Sequence, residues 1–377
     1  MAVSLTASTA LGIQARLNRM WNAESTSAKL QYDDPTSTLV RMLSKQTVRI
    51  LPVLNNAGQC VDVKIWWTDL SDINASEVEI NDLGTPGCDV ASGPTIGTTS
   101  KTYTPNAPIL RTFQVSDDLC SNDVDFQTLA ADGLAMRILQ YRKALNQEAL
   151  RFLNTNLQNN TNTSPGFPDF VVSSGGALTT ISAASYNDAS ILMKLKITAD
   201  INRIPSYSIY DGMSLLLNKE LAPFLGQNDD NRATGSLYDQ VGRNYNADPL
   251  NMYSVTGADS LFLVNNNMVG YFNMSKYGEV PVALDTSRSQ IAFSIEDPVL
   301  KYQRNVVNDR GVLVSTSMEP VRYDIVYQKV CESDRDANHY RTSMHRWEVL
   351  HNGGFVLGPE GDNGETGILK FVKDSGI

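Results

Sequence analysis

Long apolar runs, paired cysteines and nucleotide-binding glycine motifs are all missing from this 377-residue chain. No window approaches the ~18 consecutive apolar residues that a membrane span needs, so no membrane association is expected. The opening Met-Ala-Val-Ser-Leu-Thr-Ala-Ser-Thr-Ala has neither a basic leader nor an apolar core, and no secretory signal is expected. Cys60, Cys88, Cys120 and Cys331 are far apart and form no CxxC pair, which argues against a zinc ribbon or a disulfide scaffold and suits a reducing compartment. Neither GxxxxGK[ST] nor GxGxxG occurs, so nucleotide binding has no signature. Positive charge is also scarce. The 31 basic residues against 41 acidic ones leave a net charge of -10, which repels phosphate and makes sequence-specific nucleic-acid binding a poor expectation. Such a chain suits solubility at high concentration, or the lining of a container of nucleic acid.

Catalytic constellations are equally thin. His339, His345 and His351 are six residues apart. On a helix that spacing turns neighbours about 240° round the axis; on a strand it holds them ~20 Å apart. Neither brings two imidazoles onto one ion at ~2 Å, so ordinary surface or hairpin histidines are expected. Asp334-Arg-Asp336-Ala-Asn338 imitates the start of a calcium loop, but His339 stands where the turn needs glycine and His345 where a bidentate glutamate belongs. Gly212-Met-Ser214-Leu-Leu216 lacks the last glycine of a nucleophile elbow. Asp117-Asp118 and Asp229-Asp230 are adjacent pairs that point apart. No catalytic, cofactor-binding or metal-ligating residue is therefore expected, and the chain reads as no enzyme.

What is present is enough to fold: 42% of residues are hydrophobic, and the length suggests two or three structural units. Residues 8–22 carry a short amphipathic stretch with Leu11, Ala15, Leu17, Met20 and Trp21, read as an arm that docks elsewhere. Val48–Leu54 and Cys60–Trp67 read as two strands around the turn Asn55-Asn-Ala-Gly58. The tandem Trp66-Trp67 puts its indoles on opposite sides of a strand. A two-stranded arm cannot bury both, so at least one is expected against a neighbouring chain. Residues 84–108 are rich in Pro, Gly, Thr and Ser without period, too long for an ordinary connection. Between Asp123 and Leu157, Phe126, Ala130, Leu134, Ile138, Tyr141, Leu145, Ala149 and Phe152 recur at helical spacing, predicting a rod of roughly 50 Å that Gly133 weakens locally. Arg137, Arg142, Lys143 and Arg151 fall on its polar side and predict a solvated or inter-subunit face. Further helices are expected at Asn187–Ala199 and Met213–Leu221. Strands are expected at Tyr207–Tyr210, Ser260–Val264, Val269–Asn273, Gln290–Ile295, Val312–Met318 and Arg322–Cys331, and two hairpins at the C-terminus around His351-Asn-Gly-Gly354 and Asn363-Gly364.

In that order the parts describe a subunit whose missing contacts come from copies of itself. The order resembles the major capsid protein family of tailed bacteriophages, with the Hong Kong 97-like fold. Locally, Tyr207-Ser-Ile-Tyr-Asp-Gly-Met-Ser-Leu-Leu-Leu217 is similar to that family's axial-domain strand and helix. Gly270-Tyr-Phe-Asn-Met-Ser-Lys-Tyr-Gly278, and the passage from Asp297-Pro-Val to Arg310-Gly-Val-Leu-Val314, resemble its β-rich return. The resemblance implies an α+β fold with an N-terminal arm (1–46), an extended loop (47–112), a peripheral domain with a spine helix (113–174), an axial domain (175–320) and peripheral return strands and hairpins (321–377). It further implies a homo-oligomer of hexamers and pentamers in an icosahedral shell that encloses double-stranded DNA without reading its sequence, made in the host cytoplasm and located in the virion. No cofactor is implied. Portal and decoration proteins are conceivable partners, and because no ~100-residue N-terminal scaffolding segment is visible, a scaffold would be separate or absent. Trp66, Trp67, Trp21, Arg137 and Arg142 are the expected inter-subunit contacts. Lys64, Lys101 and Asn352 have residue types that some family members join covalently, though no alignment assigns them. The rival readings are an encapsulin-like nanocompartment, a β-rich phage tail or adhesion protein without a long helix on a sheet, and a hydrolase assembled only by the fold.

Overall fold

A computed structural model describes residues 7–22, 42–43, 48–54, 61–69, 97–103, 109–116, 123–160, 170–173, 176–186, 191–204, 206–212, 225–226, 236–239, 244–247, 249–256, 260–266, 268–285, 290–308, 312–331, 343–358 and 365–374. The periodic apolar run of the sequence forms one 33-residue helix, α2 (Asp123–Thr155), preceded by α1 (Ala7–Asn22). Phe126, Ala130, Leu134, Ile138, Tyr141, Leu145 and Ala149 are buried along one side of α2, as a 3.6-residue period requires. Gly133 has a packing reason. A Cβ there would lie 2.3 Å from the Phe113 ring, so the missing side chain lets the helix approach that aromatic.

Helix α2 lies along a staggered eight-stranded sheet. Its axis is a long antiparallel ladder of β14 (Gln290–Val307) and β15 (Leu313–Cys331). At one end the order is β13 (Val282–Asp285), β14, β15, β16 (Ser343–His351) and β4 (Ile109–Ser116). At the other end, β3 (Gly97–Tyr103), β2 (Val61–Asp69) and β1 (Arg49–Leu54) join β14, with Ile50 opposite Val306 in parallel. The ladder is irregular between Glu296 and Lys301, where Asp297-Pro298-Val299 interrupts it; proline has no N–H to give a central strand.

The second sheet also has eight strands, ordered β5 (Phe170–Val172), β6 (Leu178–Ile181), β18 (Ile368–Lys373), β11 (Ser260–Asn265), β7 (Tyr207–Asp211), β10 (Asn244–Ala247), β9 (Ser236–Asp239) and β8 (Leu225–Gly226). Its central strands serve two cores. Leu261 and Leu263 join one cluster with Ile209, Leu369, Phe371 and α4 (Ile191–Ile201), while Phe262 and Val264 join the α2 cluster. A period of two with both faces covered explains why β7 is buried throughout. The short helices α3 (Ala183–Tyr186) and α5 (Pro249–Thr256) complete the second sheet and back α2 respectively. A two-stranded sheet pairs β12 (Val269–Asn273) with β17 (Gly353–Leu357).

The fold is mixed α+β, with several departures from expectation. The loop strands are three, not two: Gly97–Tyr103, inside the stretch without period, pairs with β2. Neither C-terminal hairpin forms. Strand β17 pairs with β12 and β18 with β11 and β6, because distant apolar edges outbid the local turn signals. The boundary expected between 320 and 321 falls inside β15, and the C-terminal β18 belongs to the sheet of the middle region. Arm residues Leu11 and Ala15 face outward, while Ile13 and Leu17 are buried against α2 of the same chain. The expected helix Met213–Leu221 and the calcium-loop imitation around Asp334–Asn338 lie outside the described residues.

Candidate assembly surfaces

The expected polar side of α2 divides in two. Arg151 and Lys143 are exposed, and Arg151 meets Glu148 one turn earlier at 3.6 Å, an exposed pair worth little. Arg137 is half-buried and donates to Gln140 at 2.7 Å. Arg142, expected at a subunit face, is instead inside the molecule. Its guanidinium donates to both carboxylate oxygens of Asp297, at 2.9 and 2.6 Å, and both residues are 1% exposed. Tyr323 donates to the same carboxylate at 3.0 Å and the Leu300 N–H at 2.8 Å. A bidentate pair with every acceptor position used is the form in which buried charge is tolerated. It fastens the middle of α2 to the irregular point of β14.

Two of the three histidines are also interior rather than surface. His345 and His351 share one face of β16, both fully buried under α2. Tyr327 meets His345 Nδ1 at 2.6 Å, and Tyr271 meets His351 Nε2 at 2.7 Å. His351 Nδ1 finds no hydrogen-bond partner among the described residues, and burial lowers that imidazole from 6.5 to about 4, against the opposing pull of Asp297. Burial likewise raises the phenols of Tyr271 and Tyr323. This is a packed aromatic interior, with Tyr141 and Tyr323 rings beside His351. His339 lies outside the described residues.

Trp66 and Trp67 occupy consecutive positions of β2, where Trp66 registers with Arg49 and Ser100, and Trp67 with Thr99. Trp21 falls in the last turn of α1. The side chains of all three lie outside the description. Among the described residues, Val48, Ile50, Ile65, Phe272 and Val356 form a separate buried cluster at the far end of the long sheet.

Two surfaces escaped the sequence reading. Because the sheet is staggered, β16 pairs with β15 only from Asp324 onward, so Leu313–Glu319 is an edge among the described strands. Val312, Leu313, Val314 and Met318 are 44–65% exposed there. On the opposite margin β13 is also an edge, with Val280, Val282 and Leu284 at 44–71%. A signal existed: residues 311–318 and 280–284 are two runs without a single charge.

No family model matches the chain, and no curated protein does. Solved structures from bacteriophages are among those similar to it. A chain of the capsid of Cyanophage P-SCSP1u covers 88% of this chain and 86% of its own, at 10% identity and a TM-score of 0.39. One from the mature capsid of bacteriophage PhiM1 covers 89% and 87%, at 9% identity and 0.38. One from Mycobacterium phage Cain covers 94% and 96%, at 12% identity and 0.37. At such identities no residue role passes from those chains to this one.

Proposed function

We propose that this chain is a major capsid protein of the Hong Kong 97-like kind, many copies of which close into an icosahedral shell around double-stranded DNA. One observation carries the reading: a 33-residue helix laid along a staggered sheet that the three strands β1, β2 and β3 extend at one end. In a closed shell a three-stranded extension of this kind finds its further contacts on copies of the same subunit. The part order of the sequence supports the same reading, from arm to extension, long helix, middle sheet and return strands. A β-rich tail or adhesion protein was expected to have no long helix on a sheet, and α2 speaks against it. Trp66, Trp67, Trp21 and Arg137 remain the proposed contacts between copies; Arg142 does not.

In this reading the subunit works mechanically. The extension lies on a neighbour, and modest contacts repeated around a closed surface resist the pressure of packed DNA. The acidic balance keeps the wall from adhering to that DNA. Sedimentation of the purified full-length chain, alone and with the products of neighbouring genes, tests the proposal. Megadalton, narrowly distributed particles that enclose DNA when made during infection support it; particles filled with protein cargo favour a nanocompartment; a monomer under every condition overturns both.

A further inference from the structure

Helix α4 has two apolar stripes, and its own subunit buries only one. Ile191, Leu192, Leu195 and Ala199 are buried in the core beside the second sheet. Met193, Ile197 and Ile201 recur every four residues on the other side of the helix, where they are 59%, 37% and 42% exposed. A solvated helix face carries polar or charged residues at such positions. Lys196 and Asp200, one turn apart, border the stripe on one flank and meet at 2.6 Å. Lys194 falls on the other flank and donates to Ser185 of α3 at 3.3 Å.

From this face we infer that α4 packs antiparallel against α4 of a second copy of the same chain, around a two-fold axis at Ile197. The inference rests on the shell reading and names one contact through which copies meet. Residues four apart form the ridge that interdigitates with an identical ridge at about −50°, so the stripe is its own complement. Charge then selects both the occupant and its direction. An antiparallel copy sets Lys196 of each helix beside Asp200 of the other, and two internal pairs become a ring of four alternating charges. A parallel copy would oppose lysine to lysine and aspartate to aspartate. Duplex DNA offers phosphate, which Asp200 repels and an apolar stripe does not solvate. Net charge agrees: the chain carries -10, yet α4, with two lysines and one aspartate, is a place where two acidic subunits can approach. Size sets the strength. From Met193 to Ile201 the stripe is about 12 Å long, too small for a stable dimer in dilute solution and suited to a contact repeated across a shell.

Charge-reversed variants of the full-length chain, mixed, test this. Lys196→Glu leaves the flank with two negative charges, and Asp200→Lys leaves it with two positive ones. Each alone is expected to shift the thermal midpoint little, since an exposed pair one turn apart contributes little. Each is also expected to need at least about tenfold more protein to assemble, because like charges then meet across the axis. Mixed in equal amounts, the two should assemble at the concentration of the unmodified chain; a purely internal role for the pair predicts no such rescue. Absence of rescue, or either variant assembling like the unmodified chain, would overturn the inference. Ile197→Cys gives a second reading, on non-reducing gels beside the unmodified chain with its four cysteines. Gentle oxidation is expected to yield covalent dimers that the unmodified chain lacks, and Leu11→Cys, exposed on another helix, is expected to yield none. No dimer from Ile197→Cys, or an equal yield from Leu11→Cys, also overturns the pairing, and unmodified particles then leave the shell reading standing. If the unmodified chain forms no particle, the shell reading falls, and the pairing is judged on the Ile197→Cys dimer of the concentrated subunit.

Discussion

At the scale of single residues, the interior of this protein is held by a few polar groups whose removal has a calculable sign. Arg142→Ala leaves the Asp297 carboxylate buried without its guanidinium, and is expected to lower unfolding stability by about 3–5 kcal/mol in urea titration. Replacing both partners with apolar residues of similar size should cost far less. Gly133→Ala separates packing from propensity. Alanine favours a helix by about 1 kcal/mol over glycine, yet a methyl group 2.3 Å from the Phe113 ring is expected to destabilise by about 1–3 kcal/mol. His351 has a pH signature. Its folded value of about 4 lies below its ordinary 6.5, so the unfolded chain binds the proton first as pH falls. That contribution is complete above pH 6.5 and declines by about 1.4 kcal/mol per pH unit down to about 4. Thermal unfolding of His351→Phe against the unmodified chain should show a difference in stability that changes over that window and is flat above it. A parallel pH dependence would contradict the assignment. None of these roles was legible in the sequence. Arg142 and Asp297 are 155 residues apart, and nothing near Arg142 distinguishes it from exposed Lys143.

Among the elements, α2 was the most legible, because eight apolar positions at spacings of three and four leave no other regular structure open to them. The long ladder was not. Its residues 290–307 alternate or are buried, and read as strand, but the residues 312–318 at the start of β15 are exposed on both sides and carry no apolar period. The C-terminal hairpins failed for a related reason: Asn352 and its glycines signal a turn, yet the partner of β17 is set by Tyr271 and its neighbours in β12, some 80 residues earlier. Helix α1 was legible as amphipathic but not in its direction, since Ile13 and Leu17 rather than Leu11 and Ala15 turn inward. Leu17→Ala should cost about 2–5 kcal/mol of α1 docking if that contact holds. Amide exchange measured over 7–22 checks it: faster exchange confined to α1 is expected, and unchanged protection would mean that the helix is held by something other than α2.

For the whole molecule, the governing physical fact is uneven coverage. Among the described residues, two buried clusters flank the second sheet and a third, of five residues, lies at the far end of the long sheet. At that end the residues 312–318 at the start of β15 are exposed at every position, while Tyr302, Asn305 and Val307 of β14 beside them are buried. Part order alone conveyed this much from sequence, because irregular, uncharged and slender segments are visible as composition. Which edges remain open was not, since edge status depends on the stagger between strands far apart in the chain. Electron cryomicroscopy of the particles that the full-length chain forms is the most direct measurement. The account predicts a closed icosahedral shell in which the strands of residues 49–103 lie on an adjacent copy. A self-contained subunit that forms no closed shell, or a shell in which those strands touch only their own chain, would contradict it.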